Sequence, residues 1–235
     1  MLLDVRNLEV AYGDYQVVWG VSLNVAAGES VALLGPNGSG KSTVVNTITG
    51  LLAAKAGDIR FEGASLLERP THARASLGIA HVLERRRVFP ELTVLQNLTL
   101  GAWHASARAA RPKTIERVFS LFPRLKERRS QLARTLSGGE QQMLALGRGL
   151  MSLPRLLMVD EPFLGLAPQV VEQMKAVFET LKTEGMAILF IEQNVRLALS
   201  MAGRGYILES GRLAVEGPSS ALIDSPEVRR IFLGG

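Results

Sequence analysis

The segment Gly35-Pro-Asn-Gly-Ser-Gly-Lys-Ser42 restricts what this chain can fold into more than any other feature. It satisfies G-x-x-x-x-G-K-[ST] in full and is followed by Thr43. An uninterrupted apolar run, Ser30-Val-Ala-Leu-Leu34, precedes it and suits a strand covered on both faces. The residues after it, over 40–52, read as a helix. Strand, glycine turn and helix in that order form an anion cradle. Glycines let successive backbone N–H groups turn inward, and the helix N-terminus adds partial positive charge. Lys41 can reach the β- and γ-phosphates of a nucleotide, and the Ser42 hydroxyl can ligate Mg²⁺. The expected phosphate site therefore comprises Gly35, Pro36, Asn37, Gly38, Ser39, Gly40, Lys41, Ser42 and Thr43.

Leu156-Leu-Met-Val-Asp-Glu161 supplies a complement. A buried strand ends in two adjacent carboxylates, which are costly there unless something cationic meets them. Asp160 is placed to hold the Mg²⁺ shell, and Glu161 to polarise an attacking water, since phosphoryl transfer needs positioning and charge compensation.

A chain of 235 residues can bury one large core and requires no second domain. Cysteine is absent, which excludes disulfides and thiolate metal sites. The start, MLLDVRNLEV, carries Asp4 and Arg6 and does not read as a signal peptide. No run of about 18 apolar residues occurs, so no segment is expected to span a bilayer. The net charge of +5 leans mildly towards acidic partners and decides little.

Alternating Leu3, Val5, Leu8 and Val10, then Val21, Leu23 and Val25, predict half-buried antiparallel strands. Residues 58–61 and 79–83 read as further strands. Over roughly 93–150 strand signals vanish, and 93–103, 114–122 and 140–151 read as helices. Leu156–Val159 and Ala187–Ile191 are buried-strand candidates separated by a helix over 168–184; 206–209 and 212–216 suggest a hairpin around Gly211, followed by a short helical end. The expected fold is α/β: a core over 1–92 and 151–235 that combines a parallel sheet with an antiparallel β flank, and a helical insertion over about 93–150.

Leu136-Ser-Gly-Gly-Glu-Gln-Gln142 adds a second glycine nest opening a helix, with Ser137 as its natural N-cap. This segment resembles the signature of ATP-binding-cassette (ABC) ATPases, and the resemblance covers essentially the whole chain. It implies a single P-loop NTPase (RecA-like) domain over 1–235 that hydrolyses ATP with Mg²⁺. It implies that two such domains, alike or different, join head to tail, so that Ser137, Gly138, Gly139 and Glu140 of one close on the ATP of the other. Tyr12 stands where the family places an aromatic on adenine, with Val17 nearby. The implied partners are integral membrane permease subunits, a second ABC ATPase subunit and, indirectly, a substrate-binding protein, with no nucleic acid. The implied location is peripheral, on the cytoplasmic face of the inner membrane.

Two positions depart from the general family pattern. Glu84 stands where the sensor loop usually carries Gln, and Gln193 where the switch position usually carries His. Together with Leu121-Phe-Pro-Arg-Leu125, Glu127-Arg-Arg129, Gly165-Leu-Ala-Pro168 and the terminal Leu-Gly-Gly, they are similar to the shorter ATPase subunit of branched-chain amino acid importers. That resemblance makes Gln193 a γ-phosphate contact that cannot take up a proton and brings Glu84 towards Mg²⁺. Phe163 and Arg85 break the subgroup pattern, where Ser and Gly are expected. Urea or short amides are the alternative cargo. An ABC ATPase without transport is the runner-up, but Lys41 and Ser137 stand only 96 positions apart, with no sustained heptads between them. A small-molecule kinase has no use for the second nest.

Overall fold

A computed structural model describes residues 1–85 and 87–233. Arg86, Gly234 and Gly235 lie outside the described residues, and with them most of the terminal Leu-Gly-Gly likeness.

The chain opens with a flank of alternating strands, β1 (Leu3–Tyr12) and β2 (Tyr15–Val25). β1 pairs antiparallel with β2 on one side and with β4 (Ala56–Phe61) on the other; the short β5 (Ala64–Ser65) completes the order β2-β1-β4-β5. The second sheet is built from β3 (Ser30–Leu34), β6 (Ile79–Val82), β7 (Leu156–Asp160), β8 (Ala187–Glu192), β9 (Arg204–Glu209) and β10 (Arg212–Pro218). Its order is β10-β9-β3-β8-β7-β6, parallel except for the terminal β9–β10 hairpin.

The helices are α1 (Lys41–Thr49), α2 (Thr71–Ser76), α3 (Val94–Gly101), α4 (Ala105–Leu121), α5 (Pro123–Glu127), α6 (Gly138–Leu150), α7 (Pro168–Thr183), α8 (Val195–Met201), α9 (Ser219–Leu222) and α10 (Pro226–Leu233). Two hydrophobic layers sandwich the parallel sheet. In β3, Ala32 and Leu34 face the layer shared with α3–α8, while Val31 and Leu33 face the layer shared with α1 and the flank. β3, β7 and β8 are buried throughout, which is why they read as continuous apolar runs instead of alternations.

Several boundaries differ from the sequence pattern for identifiable reasons. α1 stops at Thr49, not residue 52, because Gly50 turns left-handed (φ 82°). A Cβ there would lie 2.8 Å from Arg74 Nε, and Arg74 uses that space to donate to the Thr47 and Ile48 carbonyls at the C-terminal end of α1. The helix expected from 114 begins at Ala105, capped by the His104 side chain. Pro112 lies inside it, where the missing N–H falls on the exposed side. The short helices α2, α5 and α8 went unread, their periodicity lasting barely two turns.

One cluster fastens the flank to the parallel sheet. Arg204 at the start of β9 donates from Nε to Glu29 Oε1 (2.5 Å) and from Nη2 to the Asn24 carbonyl (2.7 Å), and also bonds the Tyr206 hydroxyl, over whose ring it lies. Burial works against the Glu29 charge, but Arg204 and the Ala26 N–H outweigh it and hold the carboxyl below its ordinary value. Arg204→Ala should lower unfolding free energy by about 2–3 kcal/mol, from several charge-assisted hydrogen bonds lost together. That is a fall in Tm of roughly 5–10 °C for a domain of this size. Because the Glu29 pKa is depressed on folding, its share is present above the ordinary value of 4.5 and fades as pH falls below it, so the gap between native and variant in urea titrations should narrow in acid.

Candidate active site

Four adjacent parallel strands, β3, β8, β7 and β6, end at one edge of the sheet. From that edge β3 releases the Gly35 turn, β8 ends in Glu192 and passes into Gln193, β7 ends in Asp160 and Glu161, and β6 leads to Glu84. Carboxyl ends of parallel strands are where α/β sheets bind ligands. The strand order thus gathers residues more than 150 positions apart in sequence.

The turn from Gly35 is packed so closely that side chains are excluded. A Cβ on Gly35 would come within 2.4 Å of both the Leu208 carbonyl and Ser39 Oγ. Gly40 turns left-handed (φ 101°) immediately before α1. The β9–β10 hairpin closes over the turn: Gly211 donates its N–H to the Ser39 carbonyl (3.0 Å), and its carbonyl accepts from Trp19 N–H (2.8 Å). A Cβ on Gly211 would meet the Val17 carbonyl at 1.9 Å, so the β2 backbone packs directly on the hairpin. Ser39 Oγ is buried without a hydrogen-bond partner among the described residues. Such a glycine cradle with an orphaned hydroxyl fits phosphate oxygens.

Lys41 is buried, and its Nζ donates to the carbonyls of Gly35 (2.8 Å) and Pro36 (3.1 Å). Burial lowers its pKa, while Glu161, Asp160 and Glu192 favour its charge. Asp160 is also buried; burial first, then Glu161 and Glu84, push its pKa up to about 6, against the pull of Lys41. Ser42 is exposed at the start of α1. Among the described residues no group of three or more His, Cys, Asp or Glu side chains could hold a metal by itself. A Mg²⁺ ion here would therefore take Ser42 and Asp160 together with nucleotide oxygens, the usual habit of Mg²⁺ in phosphate sites.

Glu161 adopts a left-handed backbone (φ 45°), unusual for a residue other than Gly or Asn, and its N–H is held by the Ile191 carbonyl (2.9 Å). The chain beyond it is anchored by Phe163, whose ring packs edge-on to Phe178 (5.9 Å), itself edge-on to Phe190 (5.0 Å). The aromatic at 163, where Ser was expected, is thus a core anchor. Arg85 takes the conformation of the expected glycine, with φ 61°. Glu84 pairs with Arg85 (3.2 Å) at a half-exposed surface, yet its charge is felt at Asp160. Gln193 is exposed, at the mouth of the site.

Tyr12 is half-exposed, and its hydroxyl lies 3.4 Å from Thr43 Oγ1, which puts the ring over the start of α1. The second nest is a capping box: Ser137 Oγ accepts from Glu140 N–H (3.3 Å) and Glu140 Oε2 accepts from Ser137 N–H (2.9 Å). Arg128 Nε sits 2.9 Å from the other oxygen of Glu140. Glu140, expected to touch nucleotide, is therefore turned inward and shapes the helix start, leaving Ser137 as the exposed residue of the cap. No hydrogen bond or ion pair among the described residues joins this cap to the Gly35 turn. Sequence reasoning missed Glu192, which the strand order sets between the two motifs.

The profile of a family described as ABC transporter matches residues 18–164. The high-affinity branched-chain amino acid transport ATP-binding protein BraG of Pseudomonas aeruginosa is 44% identical over 100% of both chains. The lipopolysaccharide export system ATP-binding protein LptB of Escherichia coli is 33% identical, over 99% of this chain and 97% of its own. The crystal structure of a nucleotide-free ATP-binding cassette from an ABC transporter superposes with a TM-score of 0.87 at 27% identity, covering 100% of this chain and 99% of the other. A P-loop NTPase fold, a phosphate cradle facing two carboxylates, and matches that run the length of the chain agree: this protein belongs to the ABC transporter family and is a nucleotide-binding ATPase of it.

Proposed function

We propose that the chain is the ATP-hydrolysing subunit of an importer for branched-chain or other hydrophobic amino acids. The identity of 44% with BraG over both full lengths is the observation that supports this cargo. Export of the LptB kind is the second reading, supported by 33% identity over nearly all of both chains. On the leading reading residues 1–235 work as one unit, with 93–150 as the helical subdomain, docked peripherally on the cytoplasmic face of the membrane. No described helix is long and apolar enough to cross a membrane, which leaves the transport path to permease subunits.

The chemistry follows from the site. Backbone N–H groups of the Gly35–Gly40 turn and the Lys41 ammonium bind the phosphates, and the tightness of the turn holds them in place before substrate arrives. Ser42 and Asp160 would hold Mg²⁺, which when bound would supply charge neutralisation at the phosphate oxygens. Glu161 accepts a hydrogen bond from the attacking water and orients it in line with the γ-phosphate. Gln193 donates its amide to the γ-phosphate with no proton to exchange near neutral pH. Glu84 would add its charge towards the same cation, its surface pair with Arg85 being worth about 1 kcal/mol or less. Tyr12 stacks on adenine beside Val17. Ser137, Gly138 and Gly139 close on the nucleotide of a second ATPase subunit, so ATP joins the pair and hydrolysis releases it.

The surface offered to the permease is a groove of ≈ 470 Å³ between β6 and the helices α3 and α6. Phe89 and Trp103 are half-exposed along it. The Arg148 guanidinium lies over the Phe89 ring (5.1 Å) and donates from Nη2 to the Arg87 carbonyl (2.6 Å), while Nη1 is buried without a partner. Such a groove suits a membrane-subunit helix carrying a carboxylate among apolar side chains.

Glu161→Gln should bind ATP with near-native affinity, lose hydrolysis by roughly 100-fold or more, and sediment as an ATP-dependent pair. A protein that stays monomeric with ATP at every concentration, even beside its cognate second ATPase subunit, would overturn the head-to-tail reading. Arg148→Glu should weaken binding to detergent-purified permease by about 2–5 kcal/mol while the thermal shift induced by nucleotide persists. Native permease affinity in that variant would remove the groove from the interface.

A further inference from the structure

The positive charge of this chain is gathered in its helical part. Residues 93–150 hold ten Lys and Arg against three Asp and Glu, a net of +7, whereas the whole chain carries only +5. The three acids are already matched: Glu116 pairs with Lys126 (3.1 Å), Glu127 with Arg124 (2.6 Å) and Glu140 with Arg128 (2.9 Å). Arg117 and Arg134 reach beyond this segment to Glu184 and Glu91, and Arg148 lies over Phe89. Arg108, Arg111, Lys113 and Arg129 remain. All four are exposed, and their side chains enter no hydrogen bond or ion pair among the described residues.

Three of these cations stand in the first half of α4. Ala107 and Thr114, seven positions apart, form its buried side there, and residues 105–115 include no acid. Cations near the start of a helix are opposed by the partial positive charge of that end, and Arg108 and Arg111 are like charges three positions apart on one face. The fold gains no stability from either. The surface next to them is apolar: α3 exposes Leu95 and Leu100, and Trp103 follows, edge-on to His104, the cap of α4. The Arg129 carbonyl accepts the Leu95 N–H (3.0 Å), which sets the fourth cation beside the start of that face. The groove proposed for the permease includes Leu100 and Trp103 and no residue of α4, so the unpaired cations begin where the groove ends.

We infer that the first half of α4, with the exposed Leu95, Leu100 and Trp103 beside it, contacts anionic lipid headgroups of the membrane. Lipid phosphates supply the negative charge that these cations lack within the chain, and exposed Leu and Trp flanked by Arg and Lys suit the boundary between headgroups and acyl chains. A bilayer surface attracts cations without a matching cavity, which fits side chains that stand outside the groove. Nucleic acid carries the same charge, but a member of the ABC transporter family works beside a membrane, and no described helix of this one is long and apolar enough to enter it as a span. Lipid contact of this kind needs neither the cargo nor the docking groove proposed above.

Co-sedimentation of the purified chain with vesicles tests the contact. Native protein should bind phosphatidylcholine vesicles containing about 30% phosphatidylglycerol and leave pure phosphatidylcholine vesicles unbound; raising NaCl from about 50 to about 300 mM should weaken binding by about tenfold or more. Arg108→Gln, Arg111→Gln and Lys113→Gln together should weaken it about 100-fold, each cation at an anionic surface being worth about fivefold, while Tm and basal ATPase activity stay native. Removing three cations elsewhere, by Arg6→Gln, Arg60→Gln and Arg155→Gln, should cost about threefold or less, because charges more than a Debye length from the surface are screened. A loss in that control equal to the loss in the α4 variant would show that net charge alone binds the vesicles and would overturn the assignment. Equal binding to neutral vesicles, or native binding by the α4 variant, overturns it as well. A short DNA duplex bound more tightly than the anionic vesicles at the same salt, and released by the α4 substitutions, would give the surface to nucleic acid instead. Should the triple variant fail to fold, Arg111→Gln decides alone: about fivefold weaker binding supports the contact and native binding ends it. The vesicles hold no permease, so failure here leaves the docking groove standing, and native permease affinity in Arg148→Glu leaves the lipid contact standing.

Discussion

Three charged side chains at one sheet edge, Lys41, Asp160 and Glu192, are nearly removed from water, and none of their carboxylate or ammonium groups is paired with another in an ion pair among the described residues. Lys41 bonds only backbone carbonyls, Asp160 is pushed towards its neutral form, and Glu192 keeps an oxygen with no partner. Buried charge of this kind is tolerated when something outside the chain completes it. On the proposed reading phosphate would answer the lysine and the cradle, and a cation would answer Asp160. The edge is therefore strained towards its substrate, and the rigidity of the fully buried strands β3, β7 and β8 is what sustains it.

Much of this was readable in the sequence because it is local. The Gly35–Ser42 turn needs only neighbouring residues to build its nest, and the capping box at Ser137 and Glu140 is complete within four positions. Buried strands announced themselves as apolar runs. What could not be read is the order of those strands. β8 lies between β3 and β7 although it follows both in the chain, and only that crossover sets Glu192 between the phosphate turn and the Asp160–Glu161 end. Nothing in the run Ala187–Glu192 distinguishes a glutamate facing a site from one facing water. Glu140 illustrates the converse: its motif suggested nucleotide contact, whereas the cap and Arg128 occupy both of its oxygens.

The two departures from the subgroup pattern have structural counterparts in this chain. Arg85 occupies the left-handed conformation for which glycine is the natural choice, at a cost of order 1 kcal/mol or more. Phe163 exchanges a small polar residue for a ring that joins the Phe178–Phe190 stack and fastens the loop after Glu161 to the core. A loop pinned by an aromatic stack has less freedom to relax, which narrows the directions open to Glu161.

The outward groups of the signature lead to the last step. Ser137 and Glu140 satisfy each other, Gly139 lies where a Cβ would press within 2.8 Å of Val170 on α7, and no hydrogen bond or ion pair of the described residues ties this helix start to the chain's own phosphate turn. On the proposed reading this helix start would meet a nucleotide presented by a second ATPase subunit. α6, which begins at that nest, also carries Arg148 on the wall of the groove proposed for the permease. One rigid helix of 13 residues therefore has its start at the proposed nucleotide contact and its last turn at the proposed membrane-subunit contact. Displacement at either end moves the other, because a packed helix shifts as a unit and does not compress. On that argument the coupling between hydrolysis and transport needs no chain of side-chain rearrangements; α6 itself spans the distance.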